Sequence, residues 1–205
     1  MNFDLKKVLY GGFNFAKSNY VLIWANGFIA ICATVLAAVT IIGILVIPAI
    51  WAGFIESLLR LRRGEEVKMG IFFKAGFNQW GAFFILFLLL SLGLLAGFAL
   101  LIIPGIYLLV AWYFVFYIKI DNSDLSVSDC FGKSMDLVSE AGWLKIFLFV
   151  IIITVPVSIV NTFTYELASL ILFPFVSMMQ IEAYMLVLDN KDPQHDTITD
   201  NTENI

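Results

Sequence analysis

The sequence predicts an all-α membrane protein that crosses the bilayer six times. Of its 205 residues, 61% are hydrophobic and only 14% are charged, and the mean hydropathy is +0.94. A soluble domain of this size is about half apolar and about a quarter charged. The hydrophobic residues form runs long enough to cross the hydrocarbon, which takes about 20 residues of helix. Positive charges border only alternate ends of these runs, so the chain is predicted to weave in and out of the membrane.

Four long apolar stretches contain the predicted spans. Residues 18–55 and 75–118 carry no charge, and each is long enough for two spans joined by a short turn. Residues 146–165 and 167–188 are each long enough for one span, and the second is interrupted by Glu182. Backbone groups in lipid must hydrogen-bond within their own segment, which helices allow. The predicted spans are residues 19–40, 42–60, 80–97, 99–118, 143–161 and 167–188.

The positive charges set the orientation. All 12 Lys and Arg residues lie before the first span, between the end of the second and the third, between the fourth and the first residues of the fifth, or after the sixth. The other three connectors contain neither residue type. Because cytoplasmic loops carry the excess of Lys and Arg, both termini are predicted to be cytoplasmic, in a protein of the cell (inner) membrane.

The net charge of −4 arises in the C-terminal tail. Residues 189–205 carry five acidic residues against Lys191, whereas residues 1–188 carry 11 residues of each sign. We therefore predict a transmembrane domain over residues 1–188 and a disordered, acidic cytoplasmic tail after it. The predicted partner is the lipid bilayer, together with a membrane protein partner or a homo-oligomer. No basic patch with interleaved aromatic residues suggests a nucleic acid.

The sequence contains an internal repeat of three similar units, over about residues 3–65, 66–124 and 125–188. Each unit begins with a short segment whose apolar or small residues recur at helical spacing, followed by two spans and a charged exit. The segments of the first two units share Gly-Phe-Asn, at residues 12–14 and 76–78. All three hairpins enter and leave on one side, so the repeats are parallel. The segments are predicted to lie as amphipathic helices in the cytoplasmic interface; the alternative is that each continues its span into water.

The second span of each unit has a proline near its outer end, at Pro48, Pro104 and Pro174. A proline in a helix removes one backbone donor and bends the helix, and neighbouring helices can accommodate this in a membrane. These prolines are therefore predicted to bend their spans, with no span clearly broken.

Two carboxylates lie within the predicted spans. Eight residues after the three prolines come Glu56, Trp112 and Glu182. Intramembrane carboxylates are costly and suggest a functional site with a nearby partner. Arg60 follows Glu56 by four residues on the same helical face, so an ion pair suffices to explain Glu56. Glu182 has no cation at such a position, and both a structural and a functional role stay open for it. The hypothesis is that both carboxylates face a shared central cleft, in which Arg60 or Lys119 compensates one of them.

The sequence offers no catalytic, cofactor or metal motif. Its single histidine, His195, lies in the tail, and neither Cys32 nor Cys130 has metal-ligand spacing. Both cysteines are predicted to be small packing residues. There is no glycine-rich phosphate loop, no His/Glu metal motif and no Gly-x-Ser-x-Gly. The chain is therefore predicted to be non-enzymatic and to bind no cofactor.

Several stretches together resemble a known prokaryotic group. They are Leu-Ile-Ile-Pro-Gly-Ile-Tyr at residues 101–107, residues 129–134 followed by 142–143, and the arginine-rich exit at 60–64. Over most of residues 5–188 the chain resembles the glycerophosphodiester phosphodiesterase membrane-domain-like proteins and related six-helix membrane proteins. In that group a phosphodiesterase activity, where present, belongs to a separate soluble domain, whose catalytic carboxylates and histidines are not found in this sequence. The resemblance implies a bacterial membrane scaffold rather than an enzyme.

Two functions are therefore expected. The first is a non-enzymatic membrane module that acts as a scaffold or interacts with lipid or a partner protein. The alternative is a transporter or permease for a small solute or lipid that uses Glu56 and Glu182, since parallel repeats occur in transporters. An intramembrane enzyme is disfavoured because the sequence supplies no nucleophile–base pair and no metal set.

Overall fold

The computed structural model describes residues 3–67 and 76–191, and over these residues the backbone forms helices and no strand. Residues 68–75, which carry most of the second predicted amphipathic segment, and residues 192–205 of the predicted tail lie outside the described residues. The helices are α1 (Leu5–Ser18), α2 (Tyr20–Ala38), α3 (Ile41–Arg62), α4 (Trp80–Leu100), α5 (Ile102–Ala111), α6 (Val115–Asp121), α7 (Val127–Ala141), α8 (Trp143–Thr164) and α9 (Leu167–Lys191).

Within the described residues, six stretches of helix are long and apolar enough to cross a membrane, namely α2, α3, α4, α5 together with α6, α8 and α9. This confirms the predicted all-α, multi-pass class. The largest difference between a predicted and an observed span end is three residues. At the C-terminus, α9 continues through Lys191, so the first residues of the predicted tail are helical rather than disordered.

The fourth span is broken at residues 112–114, and the expectation of a continuous helix there is wrong. Pro104 is not the cause, because it lies in the first turn of α5, where the backbone N–H groups have no acceptor within the helix. The backbone groups at the break instead form hydrogen bonds with the hydroxyl of Ser134 in α7. It donates to the carbonyl of Ala111 at 2.8 Å and accepts from the N–H of Phe114 at 3.3 Å. A side chain from another helix thus replaces the hydrogen bonds that the break removes.

The other two predicted bending positions do lie inside helices. Pro48 and Pro174 are placed beyond the first turn of α3 and α9, where each removes a donor from the helix. A further proline, Pro156, lies inside α8 and was not among the predicted bending positions. The bend at Pro48 and Pro174 stays a prediction.

The second helix of each hairpin is more buried than the first. Half of the apolar window of α3 is buried, and 44% of that of the α5–α6 span and of α9, against 22%, 17% and 17% for α2, α4 and α8. Helices α3, α6 and α9 therefore contribute most of the interior, and α2, α4 and α8 turn most of their surface outward.

The N-terminal helix α1 packs along α9. Its buried residues, Val8, Gly12 and Ala16, recur at every fourth position and form one face. A Cβ atom placed on Gly12 would lie 2.7 Å from the Cα atom of Met179, so glycine is needed for this close approach. Because α1 crosses α9 next to Glu182, it forms one wall of the site described below.

Candidate functional site

Glu182 lies on α9 and is only 8% exposed. Its partner is Arg62, near the end of α3. The guanidinium donates from Nε to Oε2 at 2.6 Å and from Nη2 to Oε1 at 2.9 Å. This paired geometry uses both carboxylate oxygens and is the strong, directional form of an Arg–carboxylate contact. The predicted need for a partner on another helix is met, but by Arg62 rather than by Arg60 or Lys119.

Helix α1 covers this ion pair. The guanidinium of Arg62 lies over the ring of Phe15, 5.4 Å from its centroid, within the range of a cation–π contact. A Cβ atom on Gly11 would come within 2.9 Å of Glu182 Oε1, so the absence of a side chain at Gly11 leaves space for the carboxylate. Three helices far apart in sequence therefore meet at one charged pair.

Glu56 and Arg60 form the local ion pair that the sequence predicted. Arg60 donates from Nη2 and from Nε to Glu56 Oε1, at 2.6 and 3.1 Å. Its Nη1 also lies 3.9 Å from Glu65 Oε2. The Arg60 side chain is 43% exposed, so this pair lies at the surface and is of the kind that contributes little to stability.

A second interhelical cluster joins α3, α6 and α9. Arg63, which directly follows α3, donates from Nη2 to Asp121 Oδ2 at 2.8 Å, and the hydroxyl of Tyr184 donates to the same oxygen at 2.9 Å. Burial on its own would lower the pKa of Arg63, but the hydrogen bond and charge of Asp121 outweigh it and raise that pKa. Tyr117 adds a contact from α6 to α9, donating to Gln180 Oε1 at 3.3 Å.

Lys119 has a different role from the one predicted. It is 5% exposed, and its ammonium group donates to the carbonyl oxygens of Ser123 and Leu125 at 2.6 and 2.7 Å. These carbonyls belong to the turn that follows α6, so Lys119 holds the turn between α6 and α7. It compensates neither Glu56 nor Glu182.

A cavity of about 60 Å³ lies between α1, α3 and α9. Four of its lining residues are charged, namely Lys7, Arg62, Glu182 and Asp189. The others are apolar, namely Val8, Met185 and Leu186. Glu56 does not line this cavity, and a cleft shared by Glu56 and Glu182 stays a prediction.

The predicted site residues did not include Arg62, Arg63, Lys7 or Asp189. One signal was available, since the arginine-rich exit of α3 and the acidic end of α9 emerge on the same predicted side of the membrane. The sequence does not show how α3 is rotated about its own axis. Arg60 and Arg62 are about 200° apart around one helix, and packing alone decides which of them faces α9.

The described residues offer little for metal or thiol chemistry. In residues 3–67 and 76–191, no group of three or more His, Cys, Asp or Glu side chains lies close enough to hold a metal ion. Cys130 is buried, and its burial raises the pKa of the thiol. Cys32 is exposed on α2, so the expectation that it is a packing residue is wrong.

No family model, curated protein or solved structure matches the chain. The resemblance to the glycerophosphodiester phosphodiesterase membrane-domain-like proteins therefore stays a prediction.

Proposed function

We propose that the chain is a non-enzymatic membrane module, a scaffold that interacts with lipid or with a partner protein at its cytoplasmic face. One observation carries this proposal: the polar side chains at the ends of α3, α6 and α9 bind one another. Arg62 pairs with Glu182, and Arg63 pairs with Asp121, which also accepts from Tyr184. These contacts connect all three inner helices. Charged groups that satisfy each other in this way leave few groups available for a reaction, and we infer that they set which faces of the helices meet.

In this proposal both termini and the polar cluster are cytoplasmic, in the cell (inner) membrane. The support is the distribution of positive charge, since no Lys or Arg lies in the turns after α2, α4 and α8. Arg60, Arg62 and Arg63 all fall at the opposite end of α3 from its turn with α2.

The proposal also includes three parallel repeats, each with a short helix or segment at the cytoplasmic interface. Three contacts at corresponding positions support it. Gly12 lies against Met179 of α9, Gly76 lies against the backbone of Ala49 and Gly53 in α3, and Ser134 bonds to Ala111 of α5. In each case a small residue at the start of one unit packs on the second span of another unit. The second unit packs on the first, the third on the second, and the first on the third. Such contacts are those expected of a closed ring of three units around an axis along the membrane normal.

A transporter or permease is the second candidate, and the cavity beside Glu182 is the observation that favours it. A cavity with an intramembrane carboxylate on its wall is a feature of solute pathways. In this structure, however, both oxygens of Glu182 are held by Arg62. A transport cycle would have to break this pair, whereas a scaffold would keep it.

The two candidates differ in a direct test. The wild-type chain, reconstituted in proteoliposomes, is expected to leave solute flux and lipid scrambling at the level of empty vesicles. In mild detergent it is expected to retain an oligomer, a partner or selected lipids. Flux or scrambling above background that falls in Glu182→Gln but not in Glu166→Gln would favour the transporter. A lone monomer that is indifferent to lipid composition would contradict the module.

A further inference from the structure

The outward-facing side of α1 combines exposed basic and aromatic side chains. Lys6, Tyr10, Phe13 and Lys17 are all exposed, Tyr10 at 72% and Phe13 at 44%. They follow one another at intervals of four, three and four residues, so they form one narrow stripe along the helix, here called the α1 stripe. The α1 stripe lies roughly 130° around the helix from the face that packs on α9.

The α1 stripe begins beside the first span. Phe13 stacks on Phe175 of α9, with 5.0 Å between the ring centroids, and the ring of Tyr20, the first residue of α2, lies 5.7 Å from the same Phe175 ring. Lys17 precedes Tyr20 by three residues, and α2 carries no charge. From Lys17 the α1 stripe extends along the helix for about 16 Å to Lys6. It therefore starts at the end of an apolar span and continues to the depth at which a leaflet has its headgroups.

No acidic side chain offsets the charge of the α1 stripe. Helix α1 itself contains no acidic residue. The acid nearest in sequence, Asp4, caps the helix and accepts from the backbone N–H groups of Lys6 and Lys7. Among the described residues, no carboxylate oxygen lies within 4.0 Å of the ammonium group of Lys6 or Lys17. Each of these ammonium groups has three donors, which are available to a ligand outside the chain.

Helix α7, which precedes the fifth span as α1 precedes the first, has the opposite charge. Helix α1 carries three lysines and no acid, a charge of +3, whereas α7 carries three acids and Lys133, a charge of −2. When Gly12 is aligned with Ser134, the positions of the α1 stripe fall on exposed residues of α7 that are neither basic nor aromatic, namely Ser128, Gly132, Met135 and Ser139. A short helix in this place can therefore pack on its neighbours without such a stripe, which points to another use for it in α1.

We propose that the α1 stripe binds acidic phospholipid headgroups of the cytoplasmic leaflet, so that the protein gathers these lipids beside its first hairpin. A lysine near an anionic membrane surface strengthens binding by about fivefold. Exposed Tyr and Phe rings at this depth favour the boundary between headgroups and acyl chains. The basic and aromatic α1 stripe suits such a surface, whereas the acidic face of α7 is repelled by it.

The test measures lipid preference separately at α1 and at α7. The full chain carries one cysteine, either Asn14→Cys on α1 or Ser139→Cys on α7, in a Cys32→Ser, Cys130→Ser background; both label positions are exposed. Each is labelled with bimane and reconstituted in phosphatidylcholine bilayers. Quenching by brominated phosphatidylglycerol, relative to brominated phosphatidylcholine, gives the local preference for the acidic lipid. We expect a preference for phosphatidylglycerol at the α1 label and none at the α7 label.

Two substitutions show whether the charge of the α1 stripe causes the preference. Lys17→Gln is expected to lower it at the α1 label by up to about fivefold, and salt at about 1 M is expected to lower it in the wild type, because exposed charges are screened. Lys17→Arg keeps the charge and is expected to keep the preference. The matched control is Lys133→Gln, which removes the same charge from α7 and is expected to leave the α1 label unchanged.

Several results would overturn the inference. They are an equal preference at the two labels, equal losses in Lys17→Gln and Lys133→Gln, and a loss in Lys17→Arg as large as in Lys17→Gln. An oligomer that dissociates in Lys17→Gln while the lipid preference is unchanged would also overturn it, because a second copy of the chain would then occupy the α1 stripe.

This inference rests on the proposed function, since it names the lipid class that the module binds, but the two can fail separately. Flux above background together with a preference for phosphatidylglycerol at α1 would contradict the module and leave the α1 stripe as a lipid site. Background flux with a retained oligomer or partner, and without that preference, would remove the lipid site and leave the module standing.

Discussion

At the scale of single residues, the contribution of each arginine to stability depends on whether its side chain faces inward. Arg60 and Arg62 belong to the same helix, yet Arg60 pairs at the surface with Glu56 while Arg62 reaches across to Glu182. A surface pair contributes up to about 1 kcal/mol, whereas removing one partner of a buried pair costs about 3–5 kcal/mol, because the other charge stays buried. The two pairs are chemically alike and are expected to respond very differently to mutation.

The first prediction is a double-mutant cycle at the buried pair. Arg62→Met is expected to lower the free energy of unfolding by about 2 kcal/mol. This is less than for a fully buried pair because the Arg62 side chain is 33% exposed. Arg62→Met combined with Glu182→Leu removes both charges and is expected to recover most of that loss. Equilibrium unfolding in mixed micelles with a denaturing detergent measures all three proteins.

The surface pair supplies the matched control. Glu56→Gln is expected to change stability by less than about 1 kcal/mol. If Arg62→Met costs no more than Glu56→Gln, or if the double variant is less stable than Arg62→Met alone, the ion pair between α3 and α9 does not have the role assigned to it.

At the scale of helices, small residues decide where two elements come together. Gly12 and Gly132 are both glycines inside short helices outside the membrane spans, and the sequence alone does not distinguish them. A Cβ atom on Gly12 would meet the backbone of Met179, whereas one on Gly132 would meet nothing within 4 Å. Only the first glycine is required by packing.

The second prediction compares alanine at these two positions. Alanine favours a helix over glycine by about 1 kcal/mol, so Gly132→Ala is expected to stabilise the protein by up to that amount. Gly12→Ala gains the same propensity but pushes α1 away from α9, and is expected to destabilise the protein by about 1–3 kcal/mol. Thermal unfolding in detergent measures whether each substitution stabilises or destabilises the protein. Equal stabilisation by the two substitutions would show that α1 does not pack on α9 as described.

The helices also show which features the sequence could predict and which it could not. Hydropathy placed every span within three residues, because each apolar run must cover the hydrocarbon and is bounded by charge. The break at residues 112–114 was missed because its hydrogen bonds come from Ser134, a residue of another helix. Arg62 was missed for the same reason, since its direction depends on how α3 packs. Sequence patterns report local preference, whereas these two features depend on tertiary contacts.

At the scale of the whole molecule, one asymmetry organises the protein. The inner helices α3, α6 and α9 are joined at one end by ion pairs and hydrogen bonds. In the sequence, every Lys and Arg falls before α2, between the last turn of α3 and the start of α4, between the last turn of α6 and the first turn of α8, or at the end of α9. The opposite end contains the turns after α2, α4 and α8, which carry no cation. A bundle with one polar, cross-linked end and one apolar end is suited to a single orientation in a membrane.

The third prediction tests this orientation with single cysteines in a Cys32→Ser, Cys130→Ser background. Glu65→Cys lies just past the polar end of α3, and Phe163→Cys lies near the opposite end of α8, where the side chain is 79% exposed. In intact cells, a membrane-impermeant maleimide is expected to label Phe163→Cys at once and Glu65→Cys only after the membrane is permeabilised. Inside-out vesicles should give the reverse order, which controls for intrinsic reactivity. Labelling of both positions from one side would place α3 and α8 in a different topology. The parallel arrangement of the three hairpins would then have to be abandoned, because it requires the exit of α3 and the turn after α8 to face opposite compartments.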